Sequence, residues 1–189
     1  GLVAFIRDAN TQVESDIVRA EVFSLPVLLI LLVFIFRGLV AAATPLVVGV
    51  LAILGAFIAT RLIAQATEVS TFAINIITML GLGVAIDYAL FVVSRFREEL
   101  AAGRDTPTAI AATLATAGRT VAVSGLTVAL SLSSLLLFPM PFLRSMAWGG
   151  VAAVLIAMLA ALTALPALLA VLGPRINALG WQRRRPPAQ

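Results

Sequence analysis

The chain has 189 residues, of which 61% are hydrophobic and only 12% are charged, and its formal net charge is +4. This composition is far from that of soluble globular proteins and predicts an integral membrane protein. Cysteine, histidine and lysine are absent, which excludes disulfides, thiolate or imidazole chemistry and lysine nucleophiles. We therefore expect no enzyme activity, no cofactor and no metal site.

The thirteen basic residues are all arginines, and most lie at the ends of apolar runs. Such a distribution is typical of topology markers and not of a nucleic-acid-binding face, so we expect no nucleic-acid partner. One side of the predicted spans collects Arg37, Arg95, Arg97, Arg104, Arg119, Arg175 and Arg183 to Arg185, and the other collects Arg7, Arg19, Arg61 and Arg144. The positive-inside rule makes the first side cytoplasmic and places the N-terminus outside.

Taken in order, the chain begins with a densely charged, water-exposed segment over residues 1–17, which leads into the first span. Apolar run lengths predict five spans, at about residues 18–36, 39–63, 70–96, 119–138 and 143–172. Pro26 and Pro166 predict kinks, two prolines around Met140 predict a tight corner, and Gly173 followed by a proline predicts a helix end. Residues 18–175 thus form the membrane domain, and residues 176–189 form a basic cytoplasmic tail.

A polar segment over residues 98–118 separates the third and fourth spans. Thr106 is a good N-cap, Pro107 suits the first helical position, and Gly118 suits the residue just past a helix end. The pattern predicts a short alanine-rich helix at the membrane surface. The expected fold is therefore an all-α membrane protein, with a bundle of five transmembrane helices and a short cytoplasmic interfacial helix.

Asp87 is the one residue between Val69 and Ser94 that carries charge near neutral pH. Arg95 lies eight positions later, about 12 Å along a helix, so Asp87 falls near the middle of the membrane. An acid at that depth costs about 2.5–3.5 kcal/mol on insertion scales and usually marks an ion or substrate pathway. We favour a proton carrier over an acid that only pins a helix bundle by hydrogen bonds. Gly83 lies one turn earlier on the same face and thins the helix beside the carboxyl.

A second polar feature is a stripe of hydroxyls on the fourth span, at spacings of four, three, four and three: Thr120, Ser124, Thr127, Ser131 and Ser134. The first interpretation, which we favour, is helix packing with hydroxyls bonded back to their own helix. The alternative is a hydrated face beside Asp87, formed by Ser124, Thr127 and Ser131, that supplies hydrogen bonds along a proton route. An intramembrane serine protease is excluded, because the chain has no histidine or lysine to act as a general base.

The run Gly81-Leu-Gly-Val-Ala-Ile-Asp87-Tyr88, followed by Ser94-Arg-Phe-Arg-Glu-Glu, closely resembles the fourth transmembrane helix of MMPL-family transporters. These transporters are the lipid-exporting branch of the resistance–nodulation–division (RND) superfamily. The resemblance continues through Ala117-Gly-Arg-Thr-Val, Leu137-Phe-Pro and Leu165-Pro-Ala, and it covers essentially the whole chain.

The resemblance implies a multi-pass protein of the bacterial inner membrane with twelve helices in two similar halves. This chain would supply helices two to six of the first half, and its first residues would end a periplasmic domain. In the family, the Asp-Tyr pair faces an equivalent pair from the second half and carries protons, which makes Asp87 and Tyr88 the expected proton relay. The implied partners are protons, membrane lipid and the second half, and homo-oligomerisation is left open.

Two functions remain after this reasoning. The first is the transmembrane part of a proton-motive-force-driven exporter of lipids or other hydrophobic molecules. The second is a non-transporting membrane module with the same helical arrangement, such as a sterol-sensing-like sensor or an assembly scaffold. A sensor or scaffold needs no titrating acid in mid-membrane, so Asp87 favours the exporter.

Overall fold

The helices of this chain are long and apolar, as their sequence predicts. The computed structural model describes residues 19, 22–24, 26–65 and 71–178. In chain order the helices are α1 (residues 26–36), α2 (Leu39–Ile63), α3 (Thr71–Ala101), α4 (Thr106–Thr113), α5 (Arg119–Ser133), α6 (Pro141–Leu162) and α7 (Ala164–Leu172). Within the described ranges, four helical stretches are long and apolar enough to cross a membrane: Leu39–Ile63, Ala73–Ala101, Thr106–Leu137 and Pro141–Asn177.

The predicted first span lies only partly within the described residues. Residues 26–36 are helical there, and Leu32 and Phe36 are buried against the core. A count of five spans therefore stays a prediction. The residues before 19 and after 178, which include the charged N-terminal segment and most of the basic tail, lie outside the described part of the chain.

Helix α2 buries small side chains and exposes large ones. Its buried face recurs every three or four residues and consists of Ala41, Pro45, Val48, Ala52 and Ala56. Its opposite face exposes large apolar side chains at Val47, Val50, Leu51, Leu54, Ile58 and Leu62. Small residues let helices approach closely, and large apolar residues suit contact with lipid tails, so this distribution is that of a membrane bundle.

Helix α6 lies at the centre of the bundle and packs against α2, α3 and α5. Its buried positions are rich in glycine and alanine, with Ala147, Gly149, Gly150, Ala153, Ala157 and Ala161 among them. A Cβ atom on Gly149 would come within 3.1 Å of the Ala73 Cβ and 3.2 Å of the Ala73 carbonyl oxygen. The contact between α3 and α6 therefore depends on the missing side chain at Gly149.

The predicted helix end at Gly118 is wrong. Helix α4 begins at Thr106 with Pro107 in its first turn, close to the predicted start, but the chain stays helical through a π-helical turn, Leu114–Gly118, into α5. Gly118 has φ −59° and is buried, and its Cβ position lies 3.4 Å from Leu162 Cδ2. Its small size serves packing against α6, and the predicted short surface helix is the first part of a membrane-length stretch.

The predicted corner around Met140 and the predicted effect of Pro166 agree with the structure. Phe138 and Met140 are extended, and α6 starts at Pro141, as the two prolines predict. Helix α6 breaks at Thr163, whose φ is −125°, one turn before Pro166. A proline ring clashes with the carbonyl four residues earlier, here that of Leu162, so the break lies where this clash would fall. Gly173, at φ 48°, then ends α7.

The orientation of the bundle can be tested with two single cysteines, because this segment has none of its own. Ala101 ends α3 and Met140 lies in the corner before α6, and both are exposed. With the arginine-rich side in the cytoplasm, a membrane-impermeant thiol reagent added to intact cells should label Met140→Cys and leave Ala101→Cys unmodified. Both should react after solubilisation in detergent, and the reverse pattern in cells would overturn the orientation.

Candidate functional site

Asp87 lies midway along α3, sixteen residues after Thr71 and fourteen before Ala101. A helix of 31 residues is about 45 Å long, so the carboxyl is more than 20 Å along the axis from either end. The side chain is exposed, and it makes no hydrogen bond or ion pair with any other described residue. The acid thus lies at mid-helix on an open face.

The open face of α3 is a narrow stripe with a period of four residues. Met79 and Phe91 expose 58% and 45% of their surface, and Gly83 and Asp87 between them are also exposed. A Cβ atom on Gly83 would meet nothing within 4 Å, so there is free space one turn from the carboxyl. Apart from Asp87 the stripe offers no charge, and another helix or water can approach it.

Tyr88 points into the bundle, about 100° around the helix from Asp87, as neighbours on a helix must. It is 9% exposed and belongs to the main core, together with Val121 and Met158. Its hydroxyl lies 3.5 Å from Ser124 Oγ on α5, and either oxygen can be the donor. One residue of the predicted pair therefore faces outward, and the other joins α3 to α5.

The hydroxyl stripe of α5 divides into two kinds of residue. Thr127 and Ser131 are exposed, and their hydroxyls donate to the carbonyls of Val123 and Thr127 at 2.8 and 2.9 Å. Ser134 also donates back, to the Ser131 carbonyl at 2.7 Å. Ser124 instead contacts Tyr88. The hydrogen bonds of Thr127 and Ser131 are of the kind that the packing interpretation predicts, and within the stripe only Ser124 contacts the Asp-Tyr motif.

A polar cavity of about 290 Å³ lies at the C-terminal end of α3. Its lining follows one face of that helix and adds residues from α1 and from the turn after α7: Ile35, Phe36, Ser94, Arg97, Glu98, Ala101 and Asn177. Ser94 lies two helical turns after Asp87, so the stripe of α3 that bears the acid leads towards this cavity.

Arg97 holds three elements together beside that cavity. Its Nη1 donates to the Phe36 carbonyl at 2.6 Å, its Nε donates to Asn177 Oδ1 at 2.7 Å, and the guanidinium lies 5.8 Å from the centre of the Phe36 ring. Asn177 is eighty residues from Arg97 along the chain. No local pattern predicts such a contact, and from the sequence Arg97 is expected only to mark topology.

The two glutamates at the end of α3 are already paired. Glu99 is buried between Arg95 and Arg104, and Glu98 accepts from Arg95 at 3.0 Å. Within the described ranges, no three acidic side chains come together to hold a metal ion. Within α3, Asp87 is therefore the acid that stands apart from these ion pairs.

Comparison with known proteins identifies relatives of this sequence. The MMPL family matches residues 1–188. The trehalose monomycolate exporter MmpL3 of Mycolicibacterium smegmatis is 45% identical over 95% of this chain, and the putative membrane protein SCO6666 of Streptomyces coelicolor is 52% identical over 86% of it. The mycolic acid-containing lipids exporter MmpL11 of M. smegmatis is 43% identical over 96% of the chain. These matches cover 18%, 23% and 19% of the three relatives, so the chain spans about a fifth of their length.

The match extends over nearly every residue, including the stretch that bears the mid-helix acid and its tyrosine neighbour. MMPL exporters are multi-pass proteins of the inner membrane, and the four membrane-length helices agree with that location. The match over residues 1–188, together with relatives that are 43–52% identical over most of the chain, shows that this chain belongs to the MMPL family.

Proposed function

We propose that this chain forms part of the transmembrane region of a proton-motive-force-driven exporter of lipids or other hydrophobic molecules. One observation carries the proposal: Asp87 lies at mid-helix, on an open face, with no bonding partner among the described residues. A carboxyl in a low-dielectric surrounding favours its neutral form, and water or a polar partner favours the charged form. An acid that passes between these surroundings can take up and release a proton.

The names of the relatives support an amphiphilic or hydrophobic cargo. Two are named as exporters, of trehalose monomycolate and of mycolic acid-containing lipids, and MmpL11 of Mycobacterium tuberculosis, 38% identical, is named a heme uptake protein. The cargoes in these names differ although each protein matches nearly the whole chain. The sequence that these relatives share with this chain is therefore better suited to driving transport than to selecting a cargo.

In the proposed relay, Asp87 carries the proton and Tyr88 positions the helix that bears it. Tyr88 is fixed by the core and by its contact with Ser124, so movement of α5 relative to α3 would change the environment of the adjacent acid. The surface that completes the site would come from the second half of the transporter, opposite the stripe of Gly83 and Asp87. The cavity beside Ser94 would give the acid a polar connection towards the cytoplasmic end.

The alternative, a sensor or scaffold in which Asp87 only pins the bundle, has less support. An acid that pinned these helices together would bond to a described residue on α2, α5 or α6, and Asp87 bonds to none. A bond from Asp87 to another part of the protein would tolerate asparagine and a proton carrier would not, so Asp87→Asn separates the two functions.

Ser124 and Thr127 provide a matched pair of variants for the complete transporter. Ser124→Ala removes the hydroxyl next to Tyr88, and Thr127→Val removes one that donates to its own helix. The net value of a neutral hydrogen bond is about 0.5–1.5 kcal/mol, so Ser124→Ala should slow export about two- to tenfold at normal abundance. Thr127→Val should leave the rate nearly unchanged. Equal rates for both variants and the wild type, measured as proton-dependent export, would remove Ser124 from the relay.

A further inference from the structure

An apolar groove lies between α2 and α7, at the end of the bundle where α2 begins. Its volume is about 350 Å³, within the range of ligand pockets. Side chains from both helices line it: Leu39, Val40, Ala43, Thr44, Val47, Leu168 and Leu172. No residue of α3 takes part, so the groove is separate from the face that bears Asp87.

The walls of the groove offer almost nothing polar. Thr44 is the one lining residue with a polar side chain, and its hydroxyl donates to the Val40 carbonyl at 2.9 Å. Leu39 and Val47 expose about half of their surface, so the groove opens on the outer surface of the bundle. An open apolar groove at membrane depth suits a hydrocarbon chain and has no bonding group for a sugar or a peptide.

Charge is concentrated at one end of this groove. Arg37 comes two residues before Leu39, and Arg175 comes three residues after Leu172. Both arginines are exposed, and neither guanidinium has a hydrogen-bond or ion-pair partner among the described residues. The two segments meet, because Arg97 donates to the carbonyl of Phe36 and to the side chain of Asn177. Two unpaired cations therefore flank the end where α2 begins and α7 ends.

The backbone at Arg37 is strained. Its φ is 49°, in the left-handed region where glycine and asparagine are preferred and arginine costs about 1–2 kcal/mol. Glycine or asparagine would therefore fit the backbone at position 37 with less strain than arginine does. An arginine in a strained position at the mouth of a groove is consistent with a function for its side chain.

We propose that this groove binds one anionic phospholipid of the cytoplasmic leaflet. One acyl chain lies against Ala43, Val47 and Leu168, and the phosphate lies between the guanidiniums of Arg37 and Arg175. Basic sites between helices on the cytoplasmic side are suited to anionic headgroups, and arginine binds phosphate through a planar fork of donors. The lipid is a resident of the bundle, distinct from the exported cargo, and it joins α2 to α7, the helix that follows the break at Thr163.

The test uses the complete protein in vesicles of equal phosphatidylglycerol and phosphatidylcholine, followed by gentle extraction and native mass spectrometry. The wild-type protein should retain phosphatidylglycerol selectively. The double variant Arg37→Asn with Arg175→Gln removes both charges, and asparagine tolerates the left-handed backbone at position 37. Retention should fall about 30-fold, which corresponds to about 1 kcal/mol for each arginine. Arg61→Gln, at the other end of α2, is the matched control and should retain lipid as the wild type does.

A second variant tests the groove without changing charge. Ala43→Phe fills the space and should lower phosphatidylglycerol retention, whereas Val50→Phe, on the exposed face of α2, should not. Phosphatidylglycerol with a photoreactive acyl chain should label peptides that contain residues 39–47 and 168–172. Three results would each overturn the proposal: equal retention of both lipids by the wild type, unchanged retention in the double arginine variant or in Ala43→Phe, or labelling confined to other helices. None of these outcomes depends on proton flux, so the lipid site and the proposed export function fail independently.

Discussion

Proton flux should disappear when Asp87 is replaced with asparagine in the complete transporter. Asparagine keeps the shape and most of the hydrogen-bonding capacity of the side chain but cannot titrate. The side chain is exposed and bonds to no described residue, so the substitution should leave the packing of this bundle intact. Purified protein in vesicles, with an imposed pH gradient and an internal pH indicator, should show the flux of empty vesicles.

The control is Asp105→Asn, which removes the same charge from an exposed position at the start of α4. It should transport protons and cargo at rates close to the wild type. Membrane abundance and thermal stability should be equal in the two variants, because neither acid is part of an ion pair within the described ranges. Wild-type proton flux from the Asp87→Asn protein would remove the relay and leave the acid as a structural contact at most.

Helix bounds could be predicted where run length alone decides them. The predicted second span and α2 coincide at residues 39–63, because Arg37-Gly38 precede the apolar run and Arg61, in the last turn, marks its far end. The third helix was predicted to end near Phe96 but continues to Ala101. Its last turns carry charge, yet Arg95, Glu98 and Glu99 pair along the helix and keep it formed outside the apolar run.

Local sequence signals gave a wrong helix end where the same residue type also serves tertiary packing. Gly118 has the sequence features of a helix end, but in the bundle a Cβ atom there would lie only 3.3 Å from Leu114 Cδ2 and 3.4 Å from Leu162 Cδ2, so the small residue serves packing. Glycine serves both purposes, and only the position of α6 decides between them. Pro166 predicted the helix break better than Gly118 predicted a helix end. Its missing N–H donor and its ring act on the preceding turn of the same helix, independently of the neighbouring helices.

The candidate site could be predicted in part for the same reason. The depth of Asp87 and the 100° angle to Tyr88 follow from helix geometry alone. That Tyr88 meets Ser124, and that Thr127 and Ser131 do not reach it, depends on how α5 rotates against its neighbours. The spacings of four and three place all the hydroxyls of the stripe on one helical face, so the pattern contains no information on which hydroxyl meets α3.

Substitutions at two glycines, Gly149 and Gly83, should separate an effect on folding from an effect on export. Gly149→Leu should prevent the bundle from forming, because a side chain there would enter the space of the Ala73 side chain and carbonyl. Overpacking of this kind costs about 1–3 kcal/mol or more, and backbone atoms cannot move aside as a side chain can. We expect low membrane abundance and early thermal unfolding. Gly83→Leu should be present at normal levels, since nothing lies within 4 Å of its Cβ position.

Export by the Gly83→Leu protein should nevertheless fall close to background. If a second surface approaches Asp87 across the open stripe, a leucine one turn away fills the space which that surface needs. Gly83→Ala adds a smaller side chain at the same position. Because alanine favours a helix by about 1 kcal/mol over glycine, slower export by this variant could not result from a less stable α3. We expect Gly83→Ala to export more slowly than the wild type and faster than Gly83→Leu. Full export by Gly83→Leu would mean that no surface closes on this stripe, and the proposed relay between two halves would lose its site.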